Sequence, residues 1–298
     1  MATIRTTQTS NKTHYRARLI AYVSSPVGVL LVFFIGPMAV LAWMSLLKFS
    51  IAGVGGFTGL DNYKAVLTDP TFWTILWTTF EIATISMVII LVIAVPVASV
   101  LAFKVKGYEL QLLLLLVLAD QLNPLIRVYA WRILLGKNGI INSALLAIGL
   151  INQPIESLLF SKTAVIIVTS AEYLAIATIP VYAALKAVDP STLEAANDLG
   201  AGVFTLYRKV LIPLAAPGIF VALILVYIPL FTEFLTPALV GGTSGFRVGN
   251  YIEQMSLKTG NWGMGSAMSF LLLLFSLVFV AIMYRLGRIH RLQTASAS

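Results

Sequence analysis

The sequence predicts an all-α integral membrane protein with six transmembrane helices. Of its 298 residues, 59% are hydrophobic and only 11% are charged, whereas a soluble domain carries about 25% charged residues. Long apolar runs recur along the chain, and about 20 apolar residues are enough to cross a bilayer. Polar or glycine-rich segments separate these runs, so a soluble globular fold is excluded.

The first apolar run covers residues 19–47 and follows a polar, basic stretch. A cleaved signal peptide has an apolar core of about 7 to 15 residues, and this run is roughly twice that length, so we expect an uncleaved first transmembrane helix. The remaining spans are predicted at residues 72–103, from about 110, 164–185, 214–235 and 267–286.

The third span is interrupted by polar residues. Asp120-Gln121-Leu122-Asn123-Pro124 follows an apolar run, and Arg127 and Arg132 come next. Membrane helices tolerate such breaks only where neighbouring helices or water satisfy the backbone. We therefore expect this break to lie inside the protein rather than against lipid. The loop at 136–162 is predicted to carry a short helix at 141–150.

Basic residues are distributed unevenly between the two sides of the predicted spans. Six spans place both termini on one side, and 12 of the 20 Lys and Arg fall on that side. Positive residues concentrate at the cytoplasmic ends of membrane helices, so both termini are predicted to be cytoplasmic. The net charge of +8 is then a topology signal, and we expect membrane lipid as a partner but no nucleic acid.

The longest strongly polar segment between two apolar runs covers residues 189–213. Asp189 suits a helix N-cap, and Pro190 suits the first helical position, where a missing N–H costs nothing. A short amphipathic helix is predicted over residues 192–199. The charge distribution assigns the whole segment to the cytoplasmic side.

This first helix is followed by a turn and a second helix. Gly200 and Gly202 end the first helix, a second short helix is expected over residues 203–210, and Pro213 opens the fifth span. The segment is therefore predicted to be a cytoplasmic helix–turn–helix between the fourth and fifth spans.

The same segment carries a spaced motif, made of Glu194-Ala195-Ala196, Gly200, Val210, Ile212 and Pro213. It resembles the EAA motif of ABC importer permeases, which runs E-A-A, three residues, G, nine residues, I-x-L-P. Val210 stands for the Ile and Ile212 for the Leu, both conservative departures. An ordinary interfacial amphipathic helix is the alternative, but the full spacing on a polar loop between spans favours the motif.

Further short motifs resemble the spermidine/putrescine branch of the type I ABC importer permeases. They are Gly59-Leu60-Asp61-Asn62-Tyr63, Arg127-Val128-Tyr129-Ala130-Trp131, Gly139-Ile140-Ile141-Asn142-Ser143, Glu233-Phe234, Gly241-Gly242, Gly249-Asn250-Tyr251-Ile252 and Asn261-Trp262. Permeases for ferric iron, thiamine and other solutes share parts of them, so they point to the polyamine branch less specifically than the EAA motif identifies the class.

The resemblance implies a type I permease fold in a bacterial inner membrane. It implies a cytoplasmic tail (1–18), a first span with its external loop (19–71), a transmembrane core (72–288) that contains the coupling segment 189–213, and a second tail (289–298). The partners implied are two ABC ATPase subunits, a second and related permease subunit, and an extracytoplasmic binding protein.

The chain lacks the G-x-x-x-x-G-K-[ST] loop that cradles nucleotide phosphates, because Gly136-Lys137-Asn138 has neither the leading glycine nor the hydroxyl residue. We expect no cofactor in this chain and no enzymatic activity, with ATP and Mg²⁺ held by the partner ATPase. The resemblance assigns ATPase coupling to Glu194, Ala195, Ala196, Asp198, Gly200, Arg208 and Pro213. Arg208 and Lys209 are expected to contact either acidic residues of the ATPase or lipid headgroups.

Four carboxylates lie at predicted membrane depth, Glu81, Asp120, Glu172 and Glu233. Such groups usually face a bundle interior or a water-filled cavity, so an acidic pathway for a cationic solute is one interpretation. Neighbouring aromatic residues could hold alkylammonium groups by cation–π contact, namely Tyr173, Tyr227 and Phe234. The structural alternative is that Asp120 pairs with Arg127 or Arg132, and that Glu81 or Glu233 reaches interfacial water.

Other functions and solutes stay open at this point. The same machinery would serve an opine, an amino acid, thiamine or ferric iron. An ion-coupled secondary transporter would not need an ATPase-docking segment. An intramembrane enzyme or a metal site is disfavoured because the chain has no Cys and both its His residues, His14 and His290, lie in the tails.

Overall fold

The computed structural model describes residues 22 and 24, 27–50 and 53–295. These form two compact units, one with the described residues up to Val66 and Met255–Phe270, the other with Leu67–Gln254 and the residues from Leu271 onward. The predicted N-terminal tail, the start of the first span and the last three residues of the C-terminal tail lie outside the described residues.

The smaller unit begins with an apolar helix and a short hairpin. A π-helical turn, Leu31–Ile35, continues into α1 (Gly36–Ser45). The antiparallel strands β1 (Leu47–Ser50) and β2 (Gly53–Phe57) follow, and α2 (Asp61–Thr68) comes next. The hairpin is one exception to the all-helical expectation. Gly53 has φ +120, a conformation that favours glycine, and so it permits the tight return.

Asn62 fastens α2 to the hairpin within this unit. Its Nδ2 donates hydrogen bonds to the carbonyl oxygens of Ser45 at 2.8 Å and Leu47 at 2.9 Å. Both carbonyls lie where α1 gives way to β1 and have left the regular helical ladder, so a side-chain donor satisfies them.

The larger unit is helical. Its helices are α3 (Pro70–Phe103), α4 (Glu109–Asp120), α5 (Pro124–Leu135), α6 (Ile140–Ala147), α7 (Lys162–Lys186), α8 (Ser191–Asp198), α9 (Val203–Leu206), α10 (Ile212–Thr232) and α11 (Val248–Glu253). The final helix, α12 (Trp262–Ala295), belongs to this unit from Leu271 onward. Irregular helical turns occur in this unit at Glu156–Leu158, Tyr207–Leu211 and Pro237–Gly241, and a further one, Gln254–Lys258, belongs to the smaller unit from Met255 onward.

The core of the larger unit is built on α3, α7 and α10, which pack along one another. Fully buried residues from several helices meet in one cluster, including Ile82, Val128, Val165 and Val240. Gly218 of α10 lies so close to the α7 backbone near Pro180 that a Cβ would clash. Close backbone approach through small residues is typical of packed membrane helices.

Five helices of the described residues are long and apolar enough to cross a membrane, at Val27–Ser45, Pro70–Phe103, Lys162–Lys186, Val203–Thr232 and Trp262–Arg285. They correspond to the predicted first, second, fourth, fifth and sixth spans. The helical membrane fold is therefore confirmed.

The third predicted span consists of α4 and α5, 12 residues each. A helix of that length covers about 18 Å, which is less than a hydrocarbon core of about 30 Å. Asn123 accepts the Leu125 N–H and so caps α5 at the predicted break. The break residues 121–126 are exposed, so the described part of the chain does not cover them. That α4 and α5 together make one span stays a prediction.

Candidate functional site

The polar segment after α7 opens with an exposed, capped helix. Asp189 Oδ1 accepts the backbone N–H of Ser191 at 3.0 Å, and this hydrogen bond lowers the pKa of the Asp189 carboxyl. Helix α8 then runs from Ser191 to Asp198, within one residue of the predicted range. Glu194, Ala195 and Asp198 are exposed along it.

Gly200 ends this helix in the left-handed region, with φ +74. The Gly200 N–H donates to the Asn197 carbonyl, and the Ala201 N–H donates to the Ala196 carbonyl. A left-handed residue just after a helix is a common stop signal, and glycine suits it because it has no Cβ. Nothing lies within 4 Å of a Cβ built on Gly200, so its requirement here is conformational.

The second half of the segment differs from the predicted helix–turn–helix. The helix that starts at Val203 does not stop before Pro213 but continues to Thr232. A π-helical turn, Tyr207–Leu211, immediately precedes α10, in which Pro213 occupies an early position. Because local π geometry re-satisfies backbone groups near a proline, Pro213 does not break the helix. The predicted second helix is thus the start of the fifth span.

Three large apolar side chains of this segment are exposed. Leu199 is 88%, Val203 is 74% and Phe204 is 76% accessible, and Arg208, four residues after Phe204, is exposed as well. Exposed apolar side chains gathered on a polar segment are typical of a protein interaction site. The sequence prediction did not select Val203 or Phe204. The signal was present as large apolar residues on either side of the Gly200 turn.

The four predicted pathway acids belong to three ion-paired groups, of which Asp120, Arg127 and Glu172 form the first. Arg127 Nη1 lies 2.8 Å from Asp120 Oδ1, and its Nε lies 3.0 Å from Glu172 Oε1. Arg127 also donates to the Asp120 backbone carbonyl. Of the two arginines considered for Asp120, the structure therefore pairs Arg127. The Arg132 guanidinium instead lies 5.2 Å from the centre of the Phe160 ring.

Thr236 connects this trio to a second group around Glu233. The Thr236 hydroxyl donates to Glu172 Oε2 at 3.1 Å, and its backbone N–H donates to Glu233 Oε1 at 2.7 Å. Arg247, which is 0% exposed, lies 3.5 Å from Glu233 Oε2 and also donates to the Leu230 carbonyl. Asp120, Glu172 and Glu233 therefore share one polar network that includes Arg127 and Arg247.

Glu81 lies outside that network. Its Oε2 is 2.7 Å from Lys162 Nζ, and Lys162 is the first residue of α7. Each of the four predicted pathway acids thus has a basic partner. Lys162, Thr236 and Arg247 were not selected from the sequence, because they lie far from their partners along the chain or in loops.

The three predicted aromatic residues differ in environment. Tyr227 is 4% exposed, shares a 3.1 Å hydrogen bond with the Thr84 hydroxyl, and stacks on Phe279 with 3.9 Å between ring centres. Tyr173 is half-buried next to Glu172, and Phe234 is exposed next to Glu233. Only Tyr173 and Phe234 keep ring surface that a passing cation could contact.

A cavity of about 310 Å³ lies between α3, α10 and α12. Aromatic rings of Trp73, Trp77, Phe80, Phe231, Phe275 and Phe279 line most of it, without any carboxylate. It offers ring faces but no countercharge, so it is less suited to a polycation than the network around Glu172.

Comparison with known proteins gives consistent results. The family model described as binding-protein-dependent transport system inner membrane component matches residues 83–291. The spermidine/putrescine transport system permease protein PotB of Haemophilus influenzae is 34% identical to this chain over 230 residues. That alignment covers 77% of this chain and 80% of the relative.

Solved structures agree on the fold. A bacterial ABC transporter involved in the import of the acidic polysaccharide alginate contains a chain that superposes with a TM-score of 0.76 at 18% identity, covering 94% of this chain and 98% of that one. A second structure, of the alginate transporter in complex with an alginate pentasaccharide-bound periplasmic protein, superposes with a TM-score of 0.74 at 17% identity, covering 93% and 96%.

Proposed function

Because the chain belongs to the family of binding-protein-dependent transport system inner membrane components, we propose that it forms part of the translocation pathway for a polyamine such as spermidine or putrescine. The chain is a permease subunit of an ABC importer, a transport component rather than an enzyme. The observation that carries the choice of solute is the 34% identity, over 77% of this chain, to a spermidine/putrescine permease.

The charges of the polar network support a cationic solute. Asp120 and Glu172 share the single guanidinium of Arg127, so the trio holds one more carboxylate than cation when both acids are ionised. An ammonium group of a polyamine would supply the missing positive charge. Asp120, Glu172 and Glu233, with Tyr173 and Phe234 beside them, are therefore the proposed solute contacts. Glu81 and Tyr227 are secondary candidates because both lie outside this network. Glu81 pairs with Lys162, and Tyr227 is hydrogen-bonded to Thr84.

The exposed segment from Glu194 to Phe204 is the proposed ATPase-docking element. Among the described residues, no packing partner buries its apolar side chains Leu199, Val203 and Phe204, and an ATPase surface groove would cover them. The helix from Val203 to Thr232 is continuous, so movement at the dock passes directly into a membrane span. Arg208, which is exposed one turn further on, would face acidic residues of the ATPase or lipid headgroups.

The complete importer would contain two such ATPase subunits, which hold ATP and Mg²⁺, and a second permease chain. An extracytoplasmic binding protein would deliver the solute to the outer side. Both termini and the Glu194 segment would then face the cytoplasm, in agreement with the excess of Lys and Arg on that side.

Uptake by the reconstituted importer tests this proposal. The chain is purified with its ATPase, its second permease and the binding protein, placed in liposomes, and supplied with labelled spermidine or putrescine. We expect ATP-dependent accumulation that unlabelled polyamines suppress and that an amino acid, an opine, thiamine or ferric iron leaves unchanged. Preference for one of those competitors would overturn the polyamine assignment, and failure to co-purify with an ATPase would overturn the coupling assignment.

A further inference from the structure

Two hydroxyl pairs join α3 to the continuous helix at 203–232. The Tyr227 and Thr84 hydroxyls lie 3.1 Å apart, and the Tyr207 hydroxyl lies 2.7 Å from Ser99 Oγ. At 1.5 Å per residue the two tyrosines are about 30 Å apart along the helix. The Tyr207 pair therefore lies at the end next to the proposed ATPase dock.

The direction of the hydrogen bonds at Tyr207 follows from the proton count. Ser99 Oγ donates to the Pro96 carbonyl at 2.8 Å, and a serine hydroxyl has one proton to donate. Tyr207 is then the donor to Ser99. Because Ser99 is only 5% exposed, water does not easily replace this bond, and losing it would leave a buried hydroxyl oxygen with one fewer partner.

One end of this contact lies at an irregular helical turn, and the other lies next to a proline inside a helix. Tyr207 is the first residue of the π-helical turn Tyr207–Leu211. On the other side, Pro96 lies inside α3, where its missing N–H and its ring weaken the helical ladder. Sharp helix bends are usually found at prolines and π-helical turns. The Tyr207–Ser99–Pro96 chain thus joins a π-helical turn to a proline site in the neighbouring helix.

Tyr207 lies three residues beyond the docking segment, in the same helix as Val203 and Phe204, and its side chain reaches another helix. Among the described side chains of residues 191–209, it alone makes a side-chain hydrogen bond to a different membrane helix. Movement of the docking segment is transmitted to α10 by the continuous backbone, whereas α3 receives it only through side-chain contact.

We infer that Tyr207 is a positioning residue that makes α3 move together with α10 when the ATPase subunits close on the docking segment. This inference rests on the proposed coupling function and adds α3 to it. A large conformational step is efficient when packed elements have two discrete arrangements and switch together. Without the Tyr207 bond, ATP hydrolysis would continue but would open the pathway less often.

The test measures solute uptake and ATP hydrolysis in the same liposomes. The ratio of uptake to hydrolysis is then compared between each variant and the wild type. Tyr207→Phe and Ser99→Ala each remove one hydroxyl with little change in volume. We expect either variant to lower the ratio about three- to tenfold, as a bond of typical net strength would. The double variant should be no worse than the stronger single variant, because both substitutions remove the same bond.

Two matched controls separate this role from general destabilisation. Tyr284→Phe makes the same chemical change at a hydroxyl without a hydrogen-bond partner among the described residues. Ser276→Ala removes a buried serine hydroxyl that bonds only to its own helix, at the Leu272 carbonyl. Both controls should keep the wild-type ratio, and all variants should assemble with the ATPase to the wild-type extent.

A ratio within twofold of wild type for Tyr207→Phe would overturn the inference. So would additive losses in the double variant, or a loss of uptake explained entirely by poor assembly. If the wild-type complex imports a different solute, the same ratio is measured with that solute, so an error in the polyamine assignment is recognised separately. A wild-type chain that binds no ATPase would overturn both the coupling function and this inference.

Discussion

Arg127 and Arg247 determine how the proposed solute contacts respond to substitution. Arg127 touches two carboxylates, so losing one leaves the other as its partner. Arg247 is fully buried, and Glu233 is its one carboxylate partner among the described residues. Breaking a buried pair by removing one member is costly because an uncompensated charge stays behind. Substitution of Asp120, a partner of Arg127, should therefore have a different effect from substitution of Glu233, the partner of Arg247, although both acids belong to the same network.

Asp120→Asn and Glu233→Gln test this difference. We expect Asp120→Asn to lower polyamine uptake about fivefold or more while assembly and basal ATP hydrolysis stay near wild type, since Glu172 still neutralises Arg127. Glu233→Gln should lower uptake and also destabilise the subunit by about 3 to 5 kcal/mol. Uptake assays and thermal unfolding of the assembled complex measure the two effects.

Glu156→Gln is the matched control for these acids. Glu156 is an exposed loop carboxylate paired with Lys137, which lowers the pKa of the Glu156 carboxyl, and exposed pairs contribute little to stability. It should transport normally. Normal transport by both Asp120→Asn and Glu233→Gln would refute the acidic pathway, whereas the family assignment would stand.

At the scale of elements, the turn between α8 and α9 is the part of the docking segment most sensitive to backbone conformation. Gly200 has φ +74, whereas Gly202 has φ −67. Neither glycine has a neighbour within 4 Å of a built Cβ. A side chain is thus disfavoured at Gly200 by the left-handed backbone, and it is conformationally acceptable at Gly202.

Gly200→Asp should insert into the membrane normally and still lower transport. A left-handed conformation costs an ordinary L-residue about 1 to 2 kcal/mol, and Asp pays less of that cost than most residues but more than glycine. The turn would therefore be disfavoured, and the added charge would lie in the docking segment. We expect uptake to fall by about fivefold or more, with ATPase association weakened or hydrolysis uncoupled from uptake. Normal uptake at normal expression would contradict the coupling role.

Gly202→Asp is the control for added charge and bulk in the same turn. Because Gly202 has an extended backbone that any residue adopts, this variant should retain more uptake and more ATPase association than Gly200→Asp. If both variants lose uptake and ATPase association to the same extent, the cause is a clash or the added charge at the dock, and not the left-handed geometry of Gly200.

Some helices and turns could be predicted from the local sequence, and others could not. The long spans follow from hydrophobicity over about 20 residues, which is a local property, and the Gly200 stop follows from local turn chemistry. The continuity through Pro213 was not predicted, because the π-helical turn that accommodates the proline has no distinct sequence signal. The β1–β2 hairpin was missed because its strands lack the usual alternation of apolar and polar residues.

At the candidate site, the sequence identified the acids of the polar network but not most of their partners. The four membrane acids were selected from the sequence, because charges within apolar runs are conspicuous. Their partners were mostly not selected. Lys162 is separated from Glu81 by 81 positions, and Thr236 from Glu172 by 64. Such pairings depend on how α3, α7 and the segment after α10 pack, which no local pattern encodes.

At the scale of the whole molecule, much of the apolar surface requires other molecules to cover it. Within the described part of the chain, none of the most apolar 18 residues of Val27–Ser45 is buried, and only 33% of the corresponding stretch is buried in Val203–Thr232 and in Trp262–Arg285. Lipid and neighbouring subunits would cover such helices. The chain is thus suited to act within an assembly, and its energy source should be sought there.

The isolated chain should neither bind nor hydrolyse ATP. Backbone N–H groups of a glycine-rich loop and a following lysine normally hold the nucleotide phosphates, and the sequence has no such loop. Nucleotide titration of the purified subunit by calorimetry should give no saturable heat up to about 1 mM, where binding would contribute only about 4 kcal/mol. The complex with its ATPase is the positive control and should bind nucleotide and hydrolyse it. Stoichiometric binding to the isolated subunit in the micromolar range would contradict the division of labour proposed here, because the coupling segment at Glu194 would then not be the sole route by which ATP energy reaches the spans.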